Sequence, residues 1–146
     1  MHWGTITWIF FHTIAEKIKD DKFEAGRDFL LSTIVTLCYN LPCPDCRQHA
    51  IRILQAHPIK VVKSKEELKS YLHSFHNSVN LHRRKKTYDT SVLDKYKTAS
   101  LIKAYSILTT VFQTSSHRLM LDQMARKQMF ADLTKNMNKN AGLFNL

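Results

Sequence analysis

The sequence predicts an all-α protein built as a four-helix bundle with a short fifth helix. Three observations support this. Apolar residues recur at helical spacing along most of the chain, glycine and proline number only three each, and no stretch carries the strand–helix–strand patterning of an α/β fold. A chain of 146 residues fits one domain, and at this size roughly 70% of the unfolded surface is buried, so no metal or disulfide staple is needed for folding.

The elements follow in order. Residues 5–19 place Trp8, Phe11, His12, Ala15 and Ile18 along one face of a first helix. A second helix, about 23–40, carries Leu30, Ile34, Leu37 and Leu41 as its stripe. Pro42 and Pro44 punctuate the chain, a third helix starts near Cys43, and His57-Pro58 ends it near Ala56. Ser64 with Glu67 three residues on forms a capping box for a fourth helix over 65–84, striped by Leu68, Tyr71, Leu72, Phe75 and Val79. A fifth run, 91–113, holds Leu101, Ala104, Tyr105, Leu108 and Phe112. These elements make one domain over residues 1–113. Residues 114–146 read as a Met-rich, basic extension, helical in part, with a frayed Asn/Lys-rich end.

The net charge of +10 is concentrated in residues 81–146, which hold twelve Lys or Arg against four Asp or Glu. Such a half attracts phosphates, acidic partners or nucleic acid, or is simply a solvated face. Few aromatic residues interleave with these cations, so a stacking platform for nucleic acid is poorly supported. No apolar run nears the roughly 20 residues of a membrane span. Met1-His2-Trp3 lacks the basic and apolar regions of a secretory signal, and the expectation is a cytoplasmic protein that is neither membrane-bound nor secreted.

Cys38, Cys43 and Cys46 are the three cysteines, too few and too odd in number for a disulfide framework. Cys43-Pro44-Asp45-Cys46 has the spacing of a redox pair. At a helix N-terminus the free N–H groups and the macrodipole favour a thiolate. A zinc half-site from Cys43, Cys46, His49 and His57 competes with this, although a second cysteine pair is missing. With the basic half, it defines the alternative of a zinc-stabilised helical module that binds nucleic acid. Gly4-x3-Trp8-x3-His12 sets an indole and an imidazole one turn apart. His73, His76, Asn77 and Asn80 share a roughly 100° arc of the fourth helix, beside its apolar stripe. The arc suits a flat ligand with polar edges, or is a solvated flank, since Lys69 shares it. His82 to Lys86 then follow as cations that favour the helix C-terminus or hold a pyrophosphate.

Taken together, these motifs resemble the Erv/ALR family of FAD-linked sulfhydryl oxidases. The pieces arrive in order: Gly4-x3-Trp8-x3-His12, Cys43-x2-Cys46, then His76-Asn77-Ser78-Val79-Asn80, with Lys85 and Tyr88-Asp89 beyond. The resemblance covers roughly residues 2–100. Leu41-Pro42-Cys43-x-x-Cys46-x-x-His49-Ala50 is most similar to short members from large cytoplasmic DNA viruses, and for a viral protein this resemblance implies host cytoplasm or virion.

The resemblance implies a helical bundle holding FAD at its mouth. Gly4, Trp8 and His12 would line the cofactor from the first helix, and His73, His76, Asn77 and Asn80 from the fourth. Lys85 would reach the phosphates, and Tyr96 would stand as the late aromatic. Cys46 would face the flavin and Cys43 would exchange with substrate thiols. Electrons would pass from protein dithiols through the pair and FAD to molecular oxygen, giving hydrogen peroxide. A homodimer is implied, and so is a thioredoxin-like carrier, the latter because this chain lacks the second, shuttle cysteine pair of many cellular members. Cys38 reads as a small core residue.

Overall fold

The computed structural model describes residues 1–114 and 120–146. Six α-helices run through the described residues: α1 (Trp3–Lys17), α2 (Phe23–Tyr39), α3 (Pro44–Ala56), α4 (Lys65–His82), α5 (Leu101–Thr114) and α6 (Met120–Lys139). The all-α expectation holds. Among the described residues the only extended pairing is an isolated antiparallel bridge between Ile18 and Phe144. No helix is long and apolar enough to cross a membrane among the described residues.

Local chemistry fixes the helix starts. The His2 ring caps α1, its Nδ1 accepting from the Gly4 amide at 3.0 Å. Cys43 is the N-cap of α3, with Pro44 in the first turn, where its missing N–H costs nothing. Ser64 Oγ accepts from the Glu67 amide at 3.1 Å, and Glu67 reaches back to the Lys63 amide at 3.4 Å. This is the capping arrangement that the Ser64–Glu67 spacing predicts.

Two elements differ from expectation. The fifth helix begins at Leu101, not near residue 91, because Ser100 Oγ accepts from the Lys103 amide at 3.2 Å and caps it there. Residues Thr90–Thr98 instead wind as a 3-10 helix, opened by Asp89 Oδ1 accepting from the Ser91 amide at 3.3 Å. Of the extension over 114–146, residues 115–119 lie outside the described residues. The rest is a 20-residue helix, α6, and a short turn at Ala141–Leu143. Phe130, Leu133 and Phe144 from this stretch belong to the common apolar core.

Helix α1 is the centre of that core. Phe10 and Ile14 are fully buried, and the helix packs on α4 and α5 while α2 packs on α3. Helix α6 lies on α5, where Phe112 and Phe130 meet edge to face at 5.5 Å. A seam joins the two ends of the described chain. The Lys19 amide donates to Leu143 O at 2.9 Å, and the Asn145 amide donates to Lys17 O at 2.7 Å. Gly26 of α2 lets this seam approach closely, since a Cβ there would lie 3.0 Å from Ile18 Cδ1 and 3.2 Å from Leu143 Cδ1.

Candidate active site

The redox turn sits at the start of α3. Cys43, as N-cap, has extended backbone, and its Sγ accepts from the Cys46 amide at 3.3 Å. One of the N–H groups that every helix start leaves unpaired is thereby spent on sulfur. All three cysteines are free thiols. Burial pushes the Cys46 thiol up to about 11, helped by its hydrogen bond to Cys43 and the charge there, while Arg83 opposes the shift. Cys38 on α2 is deeper, and burial alone pushes it up to about 12.

A cavity of about 420 Å³ opens onto this turn. Cys43, Asp45, Cys46, His49 and Ala50 come from the α3 side, and Trp3, Gly4, Thr7, Trp8 and Phe11 come from α1. Phe75, Val79 and His82 of α4, with Arg83 at its end, complete it, and Cys38 and Leu41 form the floor near α2. The walls are mostly apolar, with sulfur, imidazole and guanidinium groups at the rim. The rings of His49 and His82 stack there at 3.8 Å, and burial lowers His49 further below the ordinary histidine value, aided by the His82 and Arg52 charges.

A wall of rings separates this cavity from a second one. Trp8 stacks on His76 at 4.2 Å, with 6° between the planes, and meets Phe75 edge to face at 5.2 Å. His12 Nε2 lies 3.0 Å from His76 Nδ1, so one of the two rings donates to the other. Burial drives His12 down to about 3 and His76 to about 4, and the neighbouring cationic groups reinforce both shifts. Both rings are neutral near pH 7.

Behind the wall, about 330 Å³ is lined by His12, His73, His76, Asn77 and Asn80, by Lys85, Lys86, Tyr88 and Val92, and by Lys95 and Tyr96. Tyr96 is 6% exposed, with its ring 5.0 Å from that of His12. The cations arrive because α4 ends in a tight C-terminal motif. The Lys85 amide donates to Asn80 O at 2.7 Å and the Arg84 amide to Leu81 O at 3.0 Å. Arg84 takes the left-handed conformation, φ 57°, that this motif requires and that glycine usually fills.

All eleven residues singled out in the sequence line one of these two cavities. Gly4, Trp8, Cys43 and Cys46 line the first, whereas His12, His73, His76, Asn77, Asn80, Lys85 and Tyr96 line the second. Asn77 and His73 have a positioning task as well. Asn77 donates to Tyr88 O at 2.9 Å and accepts from the Tyr88 amide at 3.0 Å, and the His73 ring lies 2.8 Å from the same carbonyl.

His49 joins the cysteines, but His57 lines a different groove with Tyr71 and Val61. The zinc half-site of Cys43, Cys46, His49 and His57 is therefore not assembled. No group of three or more His, Cys, Asp or Glu side chains is placed to hold a metal among the described residues. Sequence reasoning missed Lys95, Tyr88, Val79 and the His49–His82 pair as cavity residues. Val79 lay inside the His76–Asn80 run, and His49 lay one turn beyond Cys46, so both carried a signal. Lys95 carried none, because a 3-10 segment was read as α-helix.

A model of the Erv1 / Alr family matches residues 5–100. The chain is 26% identical over 94 residues to the FAD-linked sulfhydryl oxidase ERV2 of Saccharomyces cerevisiae, covering 64% of this chain and 47% of that protein. It is 30% identical over 79 residues to a protein of Invertebrate iridescent virus 3 provisionally named FAD-linked sulfhydryl oxidase 096R, covering 53% of each. Over 99 residues it is 30% identical to the similarly named 347L of Invertebrate iridescent virus 6, covering 64% of this chain and 89% of the viral protein. The chain thus spans about half the length of the first two relatives and most of the third.

Proposed function

Because the chain belongs to the Erv1/Alr family, we propose that it is an FAD-dependent thiol oxidase that forms disulfide bonds in protein substrates. The observation that carries this reading is the single cavity in which the Cys43–Cys46 turn faces Trp8 and the apolar wall of α1 and α4. No observation favours the zinc-stabilised nucleic-acid module.

The donor set fits the cofactor. An apolar slot beside the two sulfurs suits a flat ring system, since small-molecule sites are mostly apolar with a few placed polar groups. Lys85, Lys86 and Lys95 suit phosphates, and Tyr96 and His12 suit a second planar group. When bound, FAD supplies a two-electron acceptor that draws on the dithiol and delivers to oxygen, giving hydrogen peroxide.

The chain's own part is thiol exchange. A substrate thiolate attacks Cys43 Sγ of the Cys43–Cys46 disulfide, the S–S bond breaks, and Cys46 leaves as thiolate. The second substrate thiolate attacks the mixed disulfide, so that the substrate leaves oxidised and Cys43 leaves as thiolate. The Cys46 amide, aimed at Cys43 Sγ, stabilises charge on that sulfur as it departs. Substrates are protein dithiols, a thioredoxin-like carrier shuttles electrons from them to the Cys43–Cys46 pair, the enzyme is a homodimer, and it works in cytoplasm or virion.

Two variants test the division of labour. Cys43→Ser removes a hydrogen bond and a charge that hold Cys46 protonated, which leaves burial as the main remaining cause. We expect a yellow, inactive protein whose broad long-wavelength absorbance grows as the pH is raised, from a Cys46 thiolate beside oxidised flavin. Cys46→Ser should be inactive, lack that band and retain substrate proteins as mixed disulfides on non-reducing gels. A band in Cys46→Ser alone reverses the roles. Full dithiol oxidation by both variants, or purified protein without flavin, overturns the function.

A further inference from the structure

Arg126 lies on α6, outside the region that the family model matches. It is 6% exposed, unusual for arginine, which is seldom fully buried without partners. Its guanidinium is directed at the connection between α2 and α3. Nε donates to Asn40 O at 3.1 Å, and a terminal nitrogen donates to Leu41 O at 3.5 Å. Asn40 is the C-cap of α2, so its carbonyl has no intrahelical amide to serve it, and Leu41 follows directly in the connection. Only Pro42 separates Leu41 from Cys43.

We propose that Arg126 is a positioning residue for the redox turn. Through it, the C-terminal helix braces Asn40 and Leu41 and so fixes the Cys43 sulfur against the start of α3. The planar fork serves two successive carbonyls from rigidly spaced donors, whereas an ammonium on a flexible stem holds such a pair less firmly. A backbone fixed on both sides of Pro42 leaves Cys43 few positions to sample. Closing the Cys43–Cys46 disulfide then costs less chain entropy than in a free turn. The brace therefore favours the oxidised pair, and its loss favours the dithiol.

This rests on the functional reading above, and the experiment separates the two. Full-length flavin-loaded wild type, Arg126→Ala and Arg126→Lys are equilibrated with glutathione buffers, and the oxidised fraction of the Cys43–Cys46 pair is read by differential alkylation and mass spectrometry. Hydrogen exchange of residues 40–47 is followed in parallel. We expect the equilibrium constant for oxidation to fall by about threefold or more in Arg126→Ala, with an intermediate value in Arg126→Lys. Exchange should quicken over 40–47 and not over α4. Unchanged constants in both folded variants overturn the brace. Should Arg126→Ala not fold, Arg126→Lys alone decides: a wild-type constant and wild-type exchange count against the proposal. A wild-type pair that forms no disulfide in any buffer overturns the oxidase reading instead.

Discussion

His12 and His76 share one hydrogen between Nε2 and Nδ1, and their burial makes the wall of the cavity sensitive to acid. Both folded-state values lie below the ordinary 6.5, at about 3 and about 4, so the unfolded chain binds more protons as the pH falls. Stability is complete above about pH 6.5 and is lost as the pH drops toward 4 for His76 and 3 for His12. Each ring contributes a loss of up to about 1.4 kcal/mol per pH unit in that window. Urea midpoints should therefore fall between pH 7 and pH 5, and His76→Asn should flatten the dependence. A wild-type midpoint unchanged over that range would show that the rings are charged in the folded state. The pairing explains a limit of sequence reading. The Trp8–His12 and Cys43–Cys46 spacings act within one helical turn and are legible, whereas a bond across 64 positions has no local signature.

Among the elements, the end of α4 is where geometry and residue preference disagree. The left-handed C-terminal position is held by Arg84, although a side chain there costs about 1–2 kcal/mol that glycine avoids. Arg84→Gly should raise stability by about 1 kcal/mol, read as a higher urea midpoint, since only the side chain is removed from a motif whose backbone bonds remain. A lower midpoint would mean that the arginine itself makes a stabilising contact. The same motif turns Lys85 and Lys86 toward Tyr88 and the second cavity. Three of the first four helices carry capping chemistry at their starts, as Ser64 does for α4, whereas α2 has no side-chain cap and is legible from its apolar stripe. The α5 start was misplaced because the cap at Ser100 was overlooked inside a run of continuous helical period. Helix α6 gave only a weak pattern: its most buried ties to the core are Phe130, Leu133 and one guanidinium, with Met129 and Met137 only partly buried against it.

Taken as a whole, the molecule lines the two cavities of the candidate site with residues between 3 and 96 and has a substantial share of its anchoring beyond them. Phe144 is 4% exposed and meets Phe29 of α2 edge to face at 6.1 Å. Phe144→Ala should cost about 3 kcal/mol of unfolding free energy, with flavin absorbance retained by the fraction that stays folded. If instead flavin is lost while stability is unchanged, the seam belongs to the site and not to the frame. The all-α class and the motif order were legible because they need only short-range periodicity. That Phe130, Leu133 and Phe144 join the common core was not, since it rests on contacts such as Arg126 with Asn40, 86 positions apart.

The seam between residues 17–19 and 143–145 also sets a timetable for synthesis. Every residue lining the two cavities leaves the ribosome before Arg126, and Arg126 leaves before Asn145. The nascent chain can thus gather its thiols and aromatic wall first, receive the brace next, and close its two ends last. Until Asn145 emerges, Lys17 O lacks the amide it holds in the finished fold, and Phe29 lacks the ring of Phe144. A protease meeting the stalled chain should cut faster near the end of α1, where the seam otherwise holds Lys17 and Lys19 and Ile18 is buried.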